Sequence, residues 1–280
     1  MSMKLIHFSD THIIPPPDTL YGLDPRARLE QAIADINARH ADSDLCVVTG
    51  DLVHWGEPRA YDVFAEIMSR LALRTVLLIG NHDDRQAYRR RFPDALCDAN
   101  GFVQGVLNTP VGALVFLDTN AGDSHAGRFC DLRQDWLSRT LDACQGLVLL
   151  FMHHPPFSVG ISSMDAIALT DSAAFAAIVR PHAHHIRHLF LGHVHRPLMG
   201  SWLGIPFSLL PSQNHQVALK LEPHGLDIPG CHEPPAYAVA LIEHDQVVIH
   251  SCAYLDKSPR FSLDAAEIAG RRYALEMRFA

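Results

Sequence analysis

The sequence has little concentrated positive charge. It contains 23 lysines and arginines against 31 aspartates and glutamates, and its formal net charge at pH 7 is −8. No block of basic residues occurs, so a dedicated nucleic-acid surface is not expected. The same lack means that any chemistry on phosphate groups would need its positive charge from a bound metal.

Three further patterns are missing. The six cysteines form no CxxC pair, which argues against a zinc ribbon or a thioredoxin-like site; Cys231 and Cys252 could pair, although we expect reduced thiols. No apolar run approaches the roughly 18 residues that a transmembrane helix needs. The first residues, MSMKLIHFSDTH, have no signal-peptide pattern. These absences predict a cytoplasmic protein without a membrane partner.

Histidine, in contrast, is abundant, with 19 residues against 3 tryptophans and 6 tyrosines. This enrichment suits a metal-binding protein. Surface histidines would give the same count, so composition alone leaves both interpretations open. The positions of the histidines along the chain are more informative than their number.

Short apolar segments alternate with helical patterns in the first third of the chain. Helices are predicted from Asp24-Pro25 and from Pro58, because proline suits the first turn of a helix. Continuous apolar strands with helices between them are typical of a buried sheet in a mixed α/β (α+β) fold. Two strands within 101–120 should form a hairpin, and further helices are predicted at 132–141 and 171–179. Strands are predicted at 4–8, 45–49, 75–79, 146–152, 188–192, 205–210, 216–221, 237–242 and 246–251.

Five of these strands end in turns that are rich in potential metal ligands. In an open α/β sheet, ligands gather at the carboxyl ends of the strands. Carboxylates, imidazoles and an amide, with no thiolate, favour Mn, Fe, Zn or Mg. Each turn alone could be an ordinary solvated turn, but five in succession predict a metal centre. The turns are Asp10-x-His12, Gly50-Asp51, Gly80-Asn81-His82-Asp83, His153-His154 and Gly192-His193-x-His195.

These turns, in this order, resemble the signature of the calcineurin-like metallophosphoesterases over residues 4–200. Seven sequence segments are similar to those of one branch of the family, the class III cyclic-nucleotide phosphodiesterases and glycerophosphodiesterases. The segments are HFSDTH, LYG, GDLV, GNHDD, MHHPP, GHVH and NHQV. The resemblance implies a two-sheet αββα sandwich. Residues 1–224 would form the catalytic domain, and 225–280 would add strands or a small cap to it.

The resemblance also implies two divalent metal ions, whose identity the sequence does not determine. Asp51 would bridge them and, with His82, would be catalytic. Asp83 would pair with His82, while His154 and His215 would lie just outside the ligands. One ion would be held by Asp10, His12, Asp51 and His195, and the other by Asp51, Asn81, His153 and His193.

The substrate wall is less well defined by the sequence. We expect it to come from the loops 15–21, 120–122 and 155–165, with Arg85 and Arg196 pointing to solvent. The candidate substrate contacts are Asn81, His82, Tyr21, Asn120, Phe157 and Met164. The other histidines considered are expected to be structural or solvated, namely His7, His54, His125, His182, His184, His185 and His188.

The resemblance implies hydrolysis of a small phosphodiester, either a 3′,5′-cyclic nucleotide or a glycerophosphodiester. A phosphomonoesterase or nucleotidase with the same metal core is the alternative, and a non-catalytic scaffold is a third hypothesis. All seven ligand residues that the resemblance implies are present, which argues against a scaffold. The acidic balance and the lack of a run of basic residues that could bind a nucleic-acid backbone argue against a nuclease. We expect a homo-oligomer, a dimer or larger, that binds no nucleic acid.

Overall fold

The computed structural model describes residues 2–222, 225 and 227–260, together with the backbone of 267–268 and 271–272. The helices are α1 Pro25–His40, α2 Pro58–Met68, α3 Arg85–Arg91, α4 Asp131–Ala143, α5 Ser162–Asp165 and α6 Ser172–Val179. The strands are β1 Met3–Phe8, β2 Leu45–Thr49, β3 Thr75–Leu78, β4 Gly105–Thr109, β5 Gly112–Phe116, β6 Val148–Phe151, β7 Ile186–Leu191, β8 Leu198–Trp202, β9 Ile205–Leu209, β10 Gln216–Val217, β11 Gly230–Cys231, β12 Tyr237–Ile242, β13 Val247–Cys252, β14 Glu267–Ile268 and β15 Arg271–Arg272.

The first sheet has the strand order β13-β12-β1-β2-β3. β1, β2 and β3 are parallel, and each ends immediately before one of the polar turns. The late strand β12 pairs antiparallel with β1, and β13 pairs with β12. The strands predicted at 237–242 and 246–251 therefore belong to the same sheet as the amino-terminal strand.

The second sheet has the order β4-β5-β6-β7-β9-β8. β5, β6, β7 and β9 run parallel, and the predicted hairpin is the antiparallel pair β4 and β5. β8 was not predicted, and the strand predicted at 216–221 is limited to two residues. Helix α3 was also missed, because its sequence RQAYRRR has no apolar stripe; the Asp84 carboxylate caps it instead by accepting from the Ala87 N–H.

Three apolar layers hold the two sheets between helices. One cluster lies under α1, α2 and α3, a second lies between the sheets, and a third lies under α4 and α6. Side chains of β1 alternate between the layers: Leu5 faces the other sheet, whereas Ile6 and Phe8 face the helices. This arrangement confirms the predicted αββα sandwich. No helix within the described residues is both long and apolar enough to span a membrane.

Backbone hydrogen bonds connect the polar turns of neighbouring strands. The Asp10 N–H donates to the Gly50 carbonyl at 3.0 Å, and the His12 N–H donates to the Asp51 carbonyl at 2.9 Å. Across the second sheet, the Gly192 N–H donates to the His153 carbonyl at 3.0 Å. Because the turns are joined through their backbones, the side chains on them are held in a fixed relation to one another.

The packing between the sheets can be tested at Phe151, which is fully buried and stacks on Phe190 with ring centroids 4.6 Å apart. Replacing Phe151 with alanine should lower the free energy of unfolding by about 3–5 kcal/mol, because it leaves a cavity between the sheets. Urea denaturation measures this change. Met199→Ala is the control, since Met199 is 79% exposed and should change stability by less than about 0.5 kcal/mol. Equal effects of the two substitutions would contradict the layer assignment.

Candidate functional site

Four of the predicted ligands form one tight group. The potential ligand atoms of Asp10, His12, Asp51 and His195 all lie within 4.8 Å of one another, and all four residues are buried. His195 Nε2 lies 3.3 Å from an Asp10 carboxylate oxygen. His12 Nε2 lies 3.6 Å from Asp51 Oδ2. The turn that holds His195 thus meets the turns that hold Asp10 and Asp51, although more than 140 residues of sequence separate it from Asp51.

The remaining predicted ligands form a second group that meets the first at Asp51. His153 Nε2 lies 3.5 Å from Asp51 Oδ2 and 3.2 Å from Asn81 Oδ1. His193 Nδ1 lies 2.9 Å from the same Asn81 oxygen. A single carboxylate oxygen of Asp51 therefore faces one imidazole nitrogen from each group.

The chemistry of this donor set fits divalent metal ions. His12 Nε2 and His195 Nε2 lie 3.0 Å apart and both face carboxylates, so several lone pairs converge on one small volume. Among the described residues, the buried Nε2 of His193 has no hydrogen-bond partner, although buried polar groups are normally paired. Imidazole, carboxylate and amide ligands suit borderline or hard divalent ions, and a shared carboxylate suits two of them.

The backbone is strained at five of the seven positions. Asp10, His12, Asp51, His193 and His195 have φ values of 59°, 47°, 48°, 72° and 53°. Residues with a side chain rarely adopt this left-handed conformation, which costs free energy and is concentrated at functional sites. Here it occurs at Asp51 and at four other predicted ligands.

Glycine at position 80 leaves room for the Asp51 carboxylate. A methyl group on Gly80 would collide with Asp51 Oδ1 and would lie 2.6 Å from His153 Cε1. Gly50 is similar, with a φ of +98° and only 2.7 Å between an added Cβ and His153 Nδ1. The glycines before these ligands thus allow the turns to approach closely.

Burial and neighbouring charges set the protonation of the ligands. For Asp51, burial raises the pKa, but the His153 and His82 imidazoles outweigh it and hold the pKa well below the usual range. For His153, burial lowers the pKa, but the Asp51 carboxylate raises it overall to about 9. Burial holds the pKa of His12 well below its ordinary value. A metal ion that binds His153 must displace a proton from it.

Asp83 does not pair with His82, which corrects the expected contact. Its carboxylate instead links the turns after β2 and β3. Burial, followed by the nearby Asp51 charge, raises the pKa of Asp83 to about 7. The donors to the Asp83 carboxylate are the backbone N–H groups of Gly80, Leu52 and Val53 and the hydroxyl of Tyr61, at 2.8–3.3 Å.

His82 is held by two hydrogen bonds, one to a backbone carbonyl and one to a carboxylate. Its Nδ1 donates to the carbonyl oxygen of His54 at 2.8 Å, and its own N–H donates to Asp51 Oδ1 at 2.9 Å. The first bond requires the proton to be on Nδ1, so Nε2 is the nitrogen that remains available. His82 lines the large cavity at this end of the sheets.

His154 and His215 both lie beside the ligands, as expected. His154 Nδ1 bonds to the Thr119 hydroxyl at 2.7 Å, and its ring contacts that of His193. The His215 ring lies 4.8 Å from the His195 ring, and burial lowers the pKa of His215 to about 2. Neither residue belongs to the two ligand groups described above.

The cavity over the ligands has a volume of about 670 Å³. Tyr21 and Met164 line it as expected, with Ile167, Val217 and Ile228 adding apolar surface. Asn120 and Phe157 do not line it, which corrects two further contacts. The buried Asn120 amide donates to the carbonyls of Gly80 and Asp83, and the Phe157 ring packs on Phe207 and Trp202.

The expectation that Arg85 and Arg196 point to solvent is wrong, because both side chains bond to groups of the protein. Arg85 donates to both carboxylate oxygens of the buried Asp118 at 2.8 and 3.0 Å. Arg196 donates to the Val217 carbonyl at 2.7 Å and forms an ion pair with Glu233. No lysine or arginine of the part of the chain that the structure describes lines the cavity.

A family model described as "Calcineurin-like phosphoesterase" matches residues 3–197. The chain belongs to the calcineurin-like phosphoesterase family. The family assignment from the motifs is thereby confirmed, and so is the branch, since the relatives described next carry names of that branch.

A relative in Rhodopseudomonas palustris, named "probable cyclic nucleotide phosphodiesterase", is 43% identical over 93% of this chain and 96% of its own. The glycerophosphodiester phosphodiesterase GpdQ of Enterobacter lignolyticus is 30% identical over 82% of this chain and 81% of its own. A dimetal phosphatase from Danio rerio has the same fold, with a TM-score of 0.66 and 15% identity over 91% of this chain and 97% of its own.

Two further histidines of this calcineurin-like phosphoesterase lie outside its sequence motifs. His54 and His125 were expected to be structural or solvated, but both line the cavity. His125 Nδ1 lies 2.9 Å from the Asn81 amide nitrogen. Each is a lone histidine in a loop, so no spacing pattern marked it. In contrast, His7 and His188 are buried, and burial lowers their pKa values to about 3 and 4.

Gly80→Ala tests the geometry without removing a ligand. The added methyl group should displace the Asp51 carboxylate, and we expect the affinity for Mn²⁺ to fall by about tenfold or more, as for residues that orient ligands. Calorimetric titration of the metal-free protein measures the affinity. Gly105→Ala on β4 is the control, because its added Cβ would meet only the Leu96 side chain, at 3.3 Å. Unchanged affinity in a folded Gly80→Ala variant would refute the proposed crowding.

Proposed function

We propose that this protein is a phosphodiesterase that uses two divalent metal ions to hydrolyse small phosphodiesters. The observation that carries the proposal is the position of Asp51 Oδ2, which lies 3.5 and 3.6 Å from imidazole nitrogens of two separate ligand groups. The names of the relatives, a cyclic nucleotide phosphodiesterase and a glycerophosphodiester phosphodiesterase, support the diester class.

In this proposal Asp51 is common to both metal sites, where its negative charge offsets the repulsion between two cations. Asn81 is a neutral ligand and makes its site the weaker one. When bound, the ions lower the pKa of a water molecule and neutralise charge on the phosphoryl oxygens. Asp10, His12 and His195 complete one site, and His153 and His193 complete the other.

His82 is the proposed proton donor or hydrogen-bond donor to the reacting phosphodiester. Its Nδ1 proton is donated to a backbone carbonyl, so His82 would act in its doubly protonated form, in which Nε2 carries the proton that passes to the leaving oxygen or binds a phosphoryl oxygen. The hydrogen bond from its N–H to Asp51 Oδ1 fixes its position relative to the shared carboxylate. The same residue thus stands beside both the metal sites and the cavity.

The cavity favours a monoanionic diester over a dianionic monoester. The nearby arginines bind other groups of the protein. Burial holds the pKa of the cavity residue His193 well below its ordinary value and lowers that of His215 to about 2. For His54, burial lowers the pKa to about 4. The apolar side formed by Tyr21, Met164, Ile167, Val217 and Ile228 gives room for the second organic group of a diester. A cyclic nucleotide and a glycerophosphodiester are the two substrate classes that we propose.

We also propose that the carboxyl-terminal segment completes the same domain, because β12 and β13 extend the first sheet beside β1. The hydrogen bond from His232 to the Tyr21 carbonyl, at 3.0 Å, joins this segment to the loop at the cavity. The expected homo-oligomer remains a prediction.

Asn81→Ala and Asp51→Ala should differ in their response to added metal. The first removes a neutral ligand from one site, so we expect activity to return partly as Mn²⁺ is raised. The second removes the shared charge from both sites, so activity should stay near background at every concentration. Activity on bis(p-nitrophenyl) phosphate, measured against Mn²⁺ concentration, tests this pair. Rescue of both variants, or of neither, would contradict the assigned difference between the two ligands.

The diester preference is tested with a panel of substrates in Mn²⁺, Zn²⁺ and Mg²⁺. We expect a higher kcat/KM for bis(p-nitrophenyl) phosphate than for p-nitrophenyl phosphate, and hydrolysis of 3′,5′-cyclic AMP or of glycerophosphoethanolamine. The reason is that the cavity offers no cationic side chain, among the described residues, for the extra charge of a monoester. A clear preference for the monoester in the same buffer and metal would overturn the diesterase proposal in favour of a monoesterase.

A further inference from the structure

His54 has no assigned role in the proposed reaction, yet it contacts two residues that have one, His12 and His82. Only 7% of its surface is exposed, and it lines the cavity beside His12 and His82. It follows the β2 turn by three residues and thus sits on the same backbone segment as Asp51. It contacts His12 through a ring nitrogen, and it contacts His82 through its backbone carbonyl and the face of its ring.

The first contact is between ring nitrogens. His54 Nδ1 lies 3.1 Å from His12 Nδ1, whereas the other nitrogen of His12, Nε2, faces Asp51 and His195. A histidine that binds a metal through one nitrogen carries its proton on the other and donates it to a neighbour. His12 Nδ1 is therefore the donor, and His54 Nδ1 is the acceptor.

The second contact orients His82. The His54 carbonyl accepts from His82 Nδ1 at 2.8 Å, and the two rings are stacked at 4.6 Å with only 16° between their planes. Trp55 contacts the His54 ring edge-on, with centroids 4.7 Å apart. The flat face of His54 thus limits how far the His82 ring can turn.

We propose that His54 is a positioning residue for both the metal ligand His12 and the proton donor His82. Its ring nitrogen sets the protonated nitrogen of His12, and its ring face and carbonyl orient His82. This inference rests on the proposed two-metal phosphodiesterase function. It assigns to one residue two separable effects, one on metal affinity and one on turnover.

Two substitutions separate these effects, and the backbone carbonyl is present in both. His54→Phe keeps a flat ring against His82 but removes the acceptor for His12. We expect its affinity for Mn²⁺ to fall by about 10- to 100-fold, with kcat at saturating Mn²⁺ close to that of the wild type. His54→Asn keeps an acceptor but removes the ring. We expect near-normal Mn²⁺ affinity and a kcat lowered by about 10- to 100-fold, with little change in KM.

Calorimetric titration of the metal-free proteins with Mn²⁺ gives the affinities, and steady-state assays with bis(p-nitrophenyl) phosphate at saturating Mn²⁺ give kcat and KM. His188→Phe is the matched control, because His188 is also a buried histidine, 6% exposed, but bonds to Ser208. It should keep both the affinity and kcat. Thermal unfolding of each variant confirms that it is folded.

Weaker Mn²⁺ binding in His54→Phe, together with a lower kcat in His54→Asn, supports the proposal. Normal affinity in His54→Phe, normal kcat in His54→Asn, or equal losses in both variants would overturn it while the wild type remains an active metal enzyme. A wild-type protein that binds no Mn²⁺, or that binds it and does not hydrolyse the diester, would overturn the proposed function itself.

Discussion

The Asp51 carboxylate is the group on which the rest of this site depends. It is almost fully buried, and removing a carboxylate from water is costly unless other groups compensate for its charge. His12 and His153 face one of its oxygens, and the His82 N–H donates to the other. Glycine at position 80 leaves the space that this carboxylate occupies. Both proposed metal sites therefore follow from the placement of a single side chain.

The scaffold explains how such a strained arrangement can persist. Five of the predicted ligand positions adopt left-handed backbone conformations, which are unfavourable for residues with side chains. The strands before them are anchored in three apolar layers, and the turns are joined by backbone hydrogen bonds and by the buried Asp83 carboxylate. The stability of the layers thus offsets the cost of aiming several polar side chains at one point.

The motifs predicted the family and the two-sheet fold because their information is local: an apolar strand, a turn and a ligand type in a fixed order. The structure brings the seven predicted ligands together, while their roles as ligands remain predictions. The partner of Asp83, the orientations of Asn120 and Phe157 and the contacts of His54 and His125 were not predictable in this way. Side chains in irregular loops follow no period, and their directions depend on tertiary contacts.

We propose that two metal ions share the Asp51 carboxylate. Electron paramagnetic resonance of the protein loaded with Mn²⁺ tests it most directly, because two ions about 3.5–4 Å apart, as in two-metal sites, are magnetically coupled. We expect a coupled spectrum at two Mn²⁺ per chain. The spectrum of isolated Mn²⁺ ions at full loading, or saturation at one ion per chain, would contradict it.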